Sequence, residues 1–506
     1  MTKKINNIVI LGGGTAGWMT AAALSKLLNR SEINITLVES EEIPSVGVGE
    51  ATIPQLQLFN ALLGIDENEF VIETQATFKH GIMFKNWKQL DHDYIHPFGS
   101  IGIPLDGIDF YQYWLKLSKL GKAESLDNYA FNSVSAINKK MMRSINVPNS
   151  PLNDIAYAFH FDAGLYAKYL NKFSMKHGVN HIVSKVNKVN LIEDKDSAKN
   201  GFIRSIELMN DQTVEGDLFI DCSGFHGVLI EQALHTGYES WSHWLPCDRA
   251  VVMPTTSTEE AVPYTCSTAH TAGWQWKIPL QSRVGNGHVY SSRFMSDDEA
   301  KKILLENVTG EPLTEPRVIH FKTGVRRKQW NKNCVAIGLS SGFIEPLEST
   351  SIHLIQSSIS RLMSLFPSTD FDKTDIDTFN RQSMAEQEAV RDFIIAHYKI
   401  TERDDSAFWN YCRNMDVPSS VQKKIDLFKT NGRIFRENNE LFHESSWVAV
   451  MVGQGLTSKH YHPLVDAMPV EEAQKRVEHI KHVIEQSVMK MPTHTEFIQK
   501  NCKAAS

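Results

Sequence analysis

The chain has 506 residues and a formal net charge of −7, with 42% hydrophobic and 22% charged residues. That length carries roughly two to four domains around a large core, and with no lysine or arginine block the composition argues against nucleic acid as a partner. No apolar run is long enough to span a bilayer, residues 1–4 lead into structure rather than a signal peptide, and six scattered cysteines without a CxxC suit reduced thiols in a cytoplasm, with no metal framework implied.

The first apolar run, Ile8-Val9-Ile10-Leu11, predicts a strand that enters a glycine turn and leaves through Thr15-Ala16-Gly17 into a helical pattern of Met19, Ala22, Ala23 and Leu27. Gly12, Gly14 and Gly17 form a GxGxxG. The first allows a tight turn and the second lets a pyrophosphate approach the backbone. The third lets the helix pack close on the strand, with its N-terminus toward the phosphates. Residues 34–38 read as a second strand ending in Glu39, about 20 residues on, where a carboxylate can hold a ribose hydroxyl. The order of strand, turn, helix, strand and acid predicts a site for FAD or NAD; a glycine turn in another α/β protein is the plain alternative. Residues 46–54 follow as a loop expected to lie against the cofactor, because its glycines permit close approach and Pro54 can open a helix.

Between residues 76 and 87, Phe78, His80, Ile82 and Phe84 alternate with Lys79, Gly81, Met83 and Lys85. This period of two predicts one strand with Lys79 and Lys85 on one face, both by composition solvated surface lysines. His92, Tyr94, His96 and Phe98 form either core or one wall of an aromatic pocket. An amphipathic helix through Leu165, Tyr169 and Phe173 follows, then a strand at 182–186. After a polar turn come two further strands, the second delivering Asp221-Cys222-Ser223-Gly224. FAD-dependent hydroxylases carry a comparable Asp-x-x-Gly stretch, and this resemblance favours FAD over NAD.

Trp274 and Trp276, at i and i+2 before Ile278-Pro279, point one way from a strand that the proline ends or bends; a core tryptophan pair is the plain alternative. A buried-type strand at 334–339 runs through a Ser/Gly stretch into an amphipathic helix (Ile352, Ile355, Ile359, Leu362, Phe366) stopped by Pro367. Ser349 or Thr350 can cap that helix, and its free N–H groups and positive dipole end make an anion site of halide size; capping alone is the plain alternative for this Ser/Thr cluster. From Pro367 on, glycine-poor helices dominate, as at 379–398 and 470–489.

At Trp274-x-Trp276-x-Ile278-Pro279 the chain resembles the flavin-dependent halogenases of the tryptophan halogenase family. Gly12-x-Gly14-x-x-Gly17-Trp18, Phe78-Lys79-x-Gly81 and Pro346-Leu347-Glu348-Ser349-Thr350 match that family's flavin turn, catalytic-lysine segment and catalytic-glutamate segment, in family order. The resemblance runs from near residue 5 to about residue 485. It implies an α/β fold: a Rossmann-like FAD-binding module of the flavin monooxygenase type with a largely helical C-terminal substrate module. The expected division is 1–366, with inserted substrate-facing segments at about 90–150 and 245–330, and 367–506.

Residue by residue, the resemblance implies FAD contacts at Gly12, Gly14, Thr15, Ala16, Gly17, Glu39, Glu50, Ala51, Val186, Leu339 and Ile352. It places halide at the backbone of Thr350 and Ser351, catalysis at Lys79 and Glu348, and substrate beside His96 and Phe98. Trp274, Trp276, Ile278 and Pro279 would wall a path. The implied partners are a separate NAD(P)H-dependent flavin reductase and a small aromatic substrate, an indole or a tryptophan-like compound, with a homodimer left open. Reduced FAD, O₂ and chloride or bromide would yield hypohalous acid, which passes through the protein to Lys79 while Glu348 takes the ring proton or stabilises the arenium cation. A walled path protects methionines and cysteines from the oxidant and orients it. Lys79 would either hydrogen-bond the acid as an ammonium or become a haloamine, which needs a neutral amine; a nearby carboxylate favours the ammonium.

Two positions depart from the pattern. Tryptophan-specific members usually have glycine where Ser351 stands, a change that a backbone site tolerates if φ there is negative. Residues 447–464 lack an evident clamp for an amino acid's charges. Two other readings share these features: an aromatic monooxygenase with substrate beside the flavin, which the tryptophan wall argues against, and a non-catalytic flavin-binding redox sensor, against which intact Lys79 and Glu348 count.

Overall fold

A computed structural model describes residues 4–28, 31–40, 49–194, 196–437 and 440–505. Among these residues the first sheet has six strands in the order Trp330–Asn331, Cys334–Ala336, Leu218–Asp221, Asn7–Leu11, Asn34–Glu39 and Asn180–Val183. Asn7–Leu11 pairs in parallel with both neighbours. It is apolar on both faces because helices and a second layer cover it, as parallel strands require. Helix Thr15–Leu27 rises from the glycine turn and packs on helix Ala163–Lys176 and on helix Ser351–Ser364.

A second sheet of seven strands, again among the described residues, carries the tryptophan strand Gly273–Pro279 in its middle and ends in Gly81–Lys85 and Asp93–Pro97. A small third sheet pairs Ala158–Phe161 with Glu50–Ala51 on one side and Thr77–Lys79 on the other. Beyond Pro367 the chain is helical, with Lys373–Lys399 the longest element and Val470–Met489 burying Ala473, Val477, Ile480 and Ile484 as its spacing predicts. These helices share one continuous hydrophobic core with the glycine-turn helix and the tryptophan strand.

Several sequence expectations shift. The alternating stretch at 76–87 is two strands in two different sheets. His80 donates its N–H to Pro263 O and accepts from Phe98 N–H, and Gly81 packs where a Cβ would meet His96 O at 2.4 Å. The alternation survives this crossover, but the two segments have different surroundings: Lys79 is fully buried while the Lys85 side chain is 44% exposed. The strand expected at 182–186 likewise divides, ending at Val183 and resuming as Val186–Leu191. The strand from Cys334 stops at Ala336 and tightens into the turn Gly338–Ser340. In helix Ala163–Lys176 the buried side is Tyr166, Ala167 and Leu170, with Leu165, Tyr169 and Phe173 half-buried.

All six cysteines are unpaired, and five are buried. Burial pushes every one of their thiols upward, Cys502 to about 11 and the others in the same direction.

Candidate functional site

The glycine turn has one crowded side and one open side. A Cβ on Gly12, whose φ is +117°, would lie 2.2 Å from Cys222 O, and one on Gly17 would lie 1.8 Å from Gly12 O. A Cβ on Gly14 would meet nothing within 4 Å. Gly14 is also the N-cap of helix Thr15–Leu27, with no side chain capping it. An uncapped helix N-terminus beside open backbone is the cradle a pyrophosphate fits. Glu39 closes the second strand with Oε1 2.7 Å from His181 Nε2, and its carboxylate lies over Gly13, a position the motif alone does not single out.

Leu339 sits in the turn Gly338–Ser340, where Gly338 abuts the Ala16 methyl, and the buried Ile352 begins the helix that packs against the glycine-turn helix. Val186 joins a smaller cluster with Val38, beside the second strand. Glu50 and Ala51 pair with Phe161 and His160; residues 46–48 of the expected cofactor loop lie outside the described residues. Gly49, where the description resumes, packs against Ile278 of the tryptophan strand. Asp221 is spoken for. Its carboxylate accepts from Ser223 N–H and hydroxyl and from Leu229 and Ile230 N–H, so it caps the turn after its strand rather than facing a ligand.

Lys79 ends the strand Thr77–Lys79. Its ammonium nitrogen donates to Ser349 Oγ at 2.8 Å and to Thr52 O at 3.0 Å and lies 5.2 Å from the Phe98 ring centroid. The strand is held from three sides. Thr77 Oγ1 donates to Pro279 O at the end of the tryptophan strand, and Phe78 N–H donates to His494 Nε2 on the helix His494–Asn501. Lys79 pairs with Ala158 in register. Ser349 adopts a left-handed φ of +59°, a conformation that costs a non-glycine residue roughly 1–2 kcal/mol. Its hydroxyl meets the lysine and does not cap the next helix. The capping role expected of Ser349 or Thr350 is therefore not taken up: helix Ser351–Ser364 begins after Thr350 with no side-chain cap. Its first N–H groups stay available, the fit an anion requires. Ser351 lies within that helix and is not a positive-φ residue, so serine is accommodated there.

Glu348 is 1% exposed and sits between two histidines. His96 Nδ1 lies 3.0 and 2.9 Å from its two oxygens, and His397 Nε2 lies 2.8 Å from Oε1. Burial pushes the carboxyl up, but the two histidines outweigh it and hold it down at about 2. Burial pulls the Lys79 ammonium down to about 7, and the Glu348 charge opposes this only in part. The Glu348 charge favours the ammonium, as expected, but desolvation is the larger effect on Lys79. Among the described residues no ion pair joins Lys79 to Glu348.

Glu348, His96 and Phe98 line a cleft of about 510 Å³ whose other walls come from residues 53–55, 97–111 and 441–448. The aromatic stretch around His96 is therefore a pocket wall as well as core. From residues 447–464 only Val448 reaches the cleft, and Trp447 is buried against Phe393. The stretch expected to hold or lack a substrate clamp is thus displaced toward 441–446. Trp274 and Trp276 have ring centroids 6.0 Å apart. Trp274 Nε1 donates to the buried Glu345, whose carboxyl burial raises to about 7 despite that donor and Tyr398. Four participants were not singled out by sequence reasoning in these roles: Thr52, Ser349 as lysine partner, Glu345 and His397. His397 is a lone histidine in the last turn of a 27-residue helix, and nothing local to the sequence marks it.

The fold thus joins a largely parallel sheet and its uncapped glycine-turn helix to a buried lysine and a buried glutamate, the glutamate lining an aromatic cleft. The sequence matches the tryptophan halogenase family over residues 7–470. It is 35% identical to the tryptophan 7-halogenase RebH of Lentzea aerocolonigenes, covering 93% of both chains. The structure superposes on Xcc4156, a flavin-dependent halogenase from Xanthomonas campestris, with a TM-score of 0.95 at 45% identity over 100% of both chains. On BrvH, a flavin-dependent halogenase from Brevundimonas sp. BAL3, the TM-score is 0.94 at 44% identity, over 98% of this chain and 99% of that one. The chain belongs to the tryptophan halogenase family and is a flavin-dependent halogenase.

Proposed function

We propose that the protein halogenates a small, uncharged, electron-rich aromatic of indole type, with hypohalous acid held at Lys79. The observation that carries this reading is the Lys79 amine, buried on Ser349 and Thr52 and close to the Phe98 ring, which with the histidine-clamped Glu348 lines an aromatic cleft. Gly12, Gly14, Thr15, Ala16, Gly17, Glu39, Glu50, Ala51, Val186, Leu339 and Ile352 would hold FAD. The backbone at Thr350 and Ser351 would hold chloride or bromide. Reduced FAD would supply, with O₂, the oxidising equivalents that convert halide to hypohalous acid.

The protein's own groups then carry the transfer. Lys79, with both charge states accessible near neutrality, donates a proton to the departing hydroxide as the halogen–oxygen bond breaks and the carbon–halogen bond forms. Glu348 accepts the ring proton as the carbon–hydrogen electron pair restores aromaticity. Trp274, Trp276, Ile278 and Pro279 wall the approach, keeping the oxidant off other side chains.

The substrate reading rests on charge. Among the described residues the cleft is lined by Asp109, Glu348 and Glu444 and by the histidines His96 and His443, but by no lysine or arginine, so a substrate carboxylate would meet no permanent cation there. Indole should therefore exceed free tryptophan by about tenfold or more in kcat/KM, the scale on which a missing ionic partner discriminates. Competition assays with bromide, a flavin reductase, NADH and FAD measure this, and a large preference for tryptophan would overturn it.

Reduced flavin is expected from a separate reductase, because one glycine fingerprint serves one dinucleotide. Purified protein with NADH and FAD should consume almost no NADH until a reductase is added. Rapid stoichiometric oxidation by the protein alone, followed at the NADH absorbance, would exclude the two-component arrangement.

A further inference from the structure

We infer that His397 is a positioning residue carrying protons on both ring nitrogens, and that this imidazolium keeps Glu348 a carboxylate facing the reacting ring. The inference deepens the reading of Glu348 as the proton acceptor and rests on it for its kinetic consequence, though not for its structural one. His397 is fully buried. Its Nδ1 lies 2.9 Å from Phe393 O, one helical turn back. A carbonyl only accepts, so Nδ1 donates. Its Nε2 lies 2.8 Å from Glu348 Oε1, an ion-pair contact rather than a well-aligned hydrogen bond. A neutral imidazole has one N–H and one lone pair. With Nδ1 committed to the carbonyl, a neutral ring would set an unprotonated, partly negative nitrogen 2.8 Å from a carboxylate oxygen, and a proton on Nε2 turns that contact attractive. Turning the ring over would bring carbon atoms to both acceptors and give up both contacts.

The alternative puts the proton on Glu348. The other histidine argues against it. His96 Nδ1 is nearly equidistant from both Glu348 oxygens, 3.0 and 2.9 Å, a forked approach suited to an ionised carboxylate that accepts at either oxygen. The charged and titratable groups around the pair are Lys79 on its strand, Tyr94 and His96 on the strand Asp93–Pro97, and Glu348 itself. The His397 ring is otherwise enclosed by aromatic groups, with Phe84, Trp87 and Phe393 centroids at 5.0, 6.2 and 5.0 Å. In that apolar surround a charge persists only as half of a pair.

The test is nitrogen NMR on ¹⁵N-histidine protein, with the His397 signals assigned by their loss in His397→Gln. We expect two imidazolium-type nitrogens for His397 at neutral pH in the wild-type chain. In Glu348→Gln one of them should become pyridine-type, since the carboxylate that required the second proton is gone. A pyridine-type nitrogen on wild-type His397 overturns the inference, as does a signal unchanged by Glu348→Gln. The kinetic arm compares the pH dependence of indole bromination. His397→Gln should lose about tenfold or more at mildly acidic pH and much less at alkaline pH, with flavin reoxidation unchanged. A His397→Gln profile that superimposes on wild type also overturns it. Should the wild-type chain make no halogenated product, the proposed function fails and the NMR arm alone decides the protonation state.

Discussion

Replacing Lys79 with alanine is expected to abolish halogenation, by at least about 10³-fold, on the upper side of what one acid–base group contributes, while flavin reoxidation proceeds. The two functions should separate because Lys79 touches neither the glycine turn nor the uncapped start of helix Ser351–Ser364. Its partners are Ser349 Oγ, Thr52 O and the Phe98 ring. Lys79→Met is the companion variant: it fills the same space without an amine, so a cavity cannot explain its loss of activity. Lys79→Met should melt within a few degrees of wild type, whereas Lys79→Ala, which opens a cavity and takes the donor from Ser349 Oγ and Thr52 O, should melt lower. Single-turnover flavin absorbance, thermal melts and product assays are the measurements. A Lys79→Ala enzyme that brominates indole near the wild-type rate would remove the lysine from the mechanism.

Glu348→Gln should instead slow product formation by about 10²–10⁴-fold without abolishing it. Glutamine keeps an oxygen for His96 but cannot take the ring proton, which must then leave to solvent through the cleft. A purely structural Lys–Glu pair would make both substitutions destabilising and would impair flavin turnover alike. The geometry already disfavours that reading, since Lys79 and Glu348 each have other partners. If Glu348→Gln matches wild type in product rate, the carboxylate is no base in this reaction.

What the sequence could express depended on range. The glycine turn, its two strands and helix Val470–Met489 are local patterns, and they fold as their spacing predicts. Lys79 shows the limit. Period-two alternation reports a strand, but it cannot report that the chain crosses between sheets at His80 and that the two segments have different surroundings. Family motifs name Lys79 and Glu348, yet the groups that set their charge come from far away: Thr52, and His397 49 positions beyond Glu348. No window along the chain contains these pairings. Ser349 failed differently, because a serine before a helix is the commonest capping signal, and only the left-handed backbone shows that its hydroxyl has another use.

The cysteines have a consequence for how the protein ages. A thiol reacts with oxidants chiefly as thiolate, and all six here are held toward the protonated form, five of them buried. Under the proposed function, hypohalous acid that left the site would therefore meet exposed thioethers first, Met175, Met209 and Met489 being 45%, 63% and 65% exposed. Sulfoxide at these positions would accumulate as a tally of leakage, leaving core thiols intact and the fold undamaged. On that reading the surface methionines would serve as a dosimeter, and the ratio of their oxidation to product formed would read how tightly each variant confines its reagent.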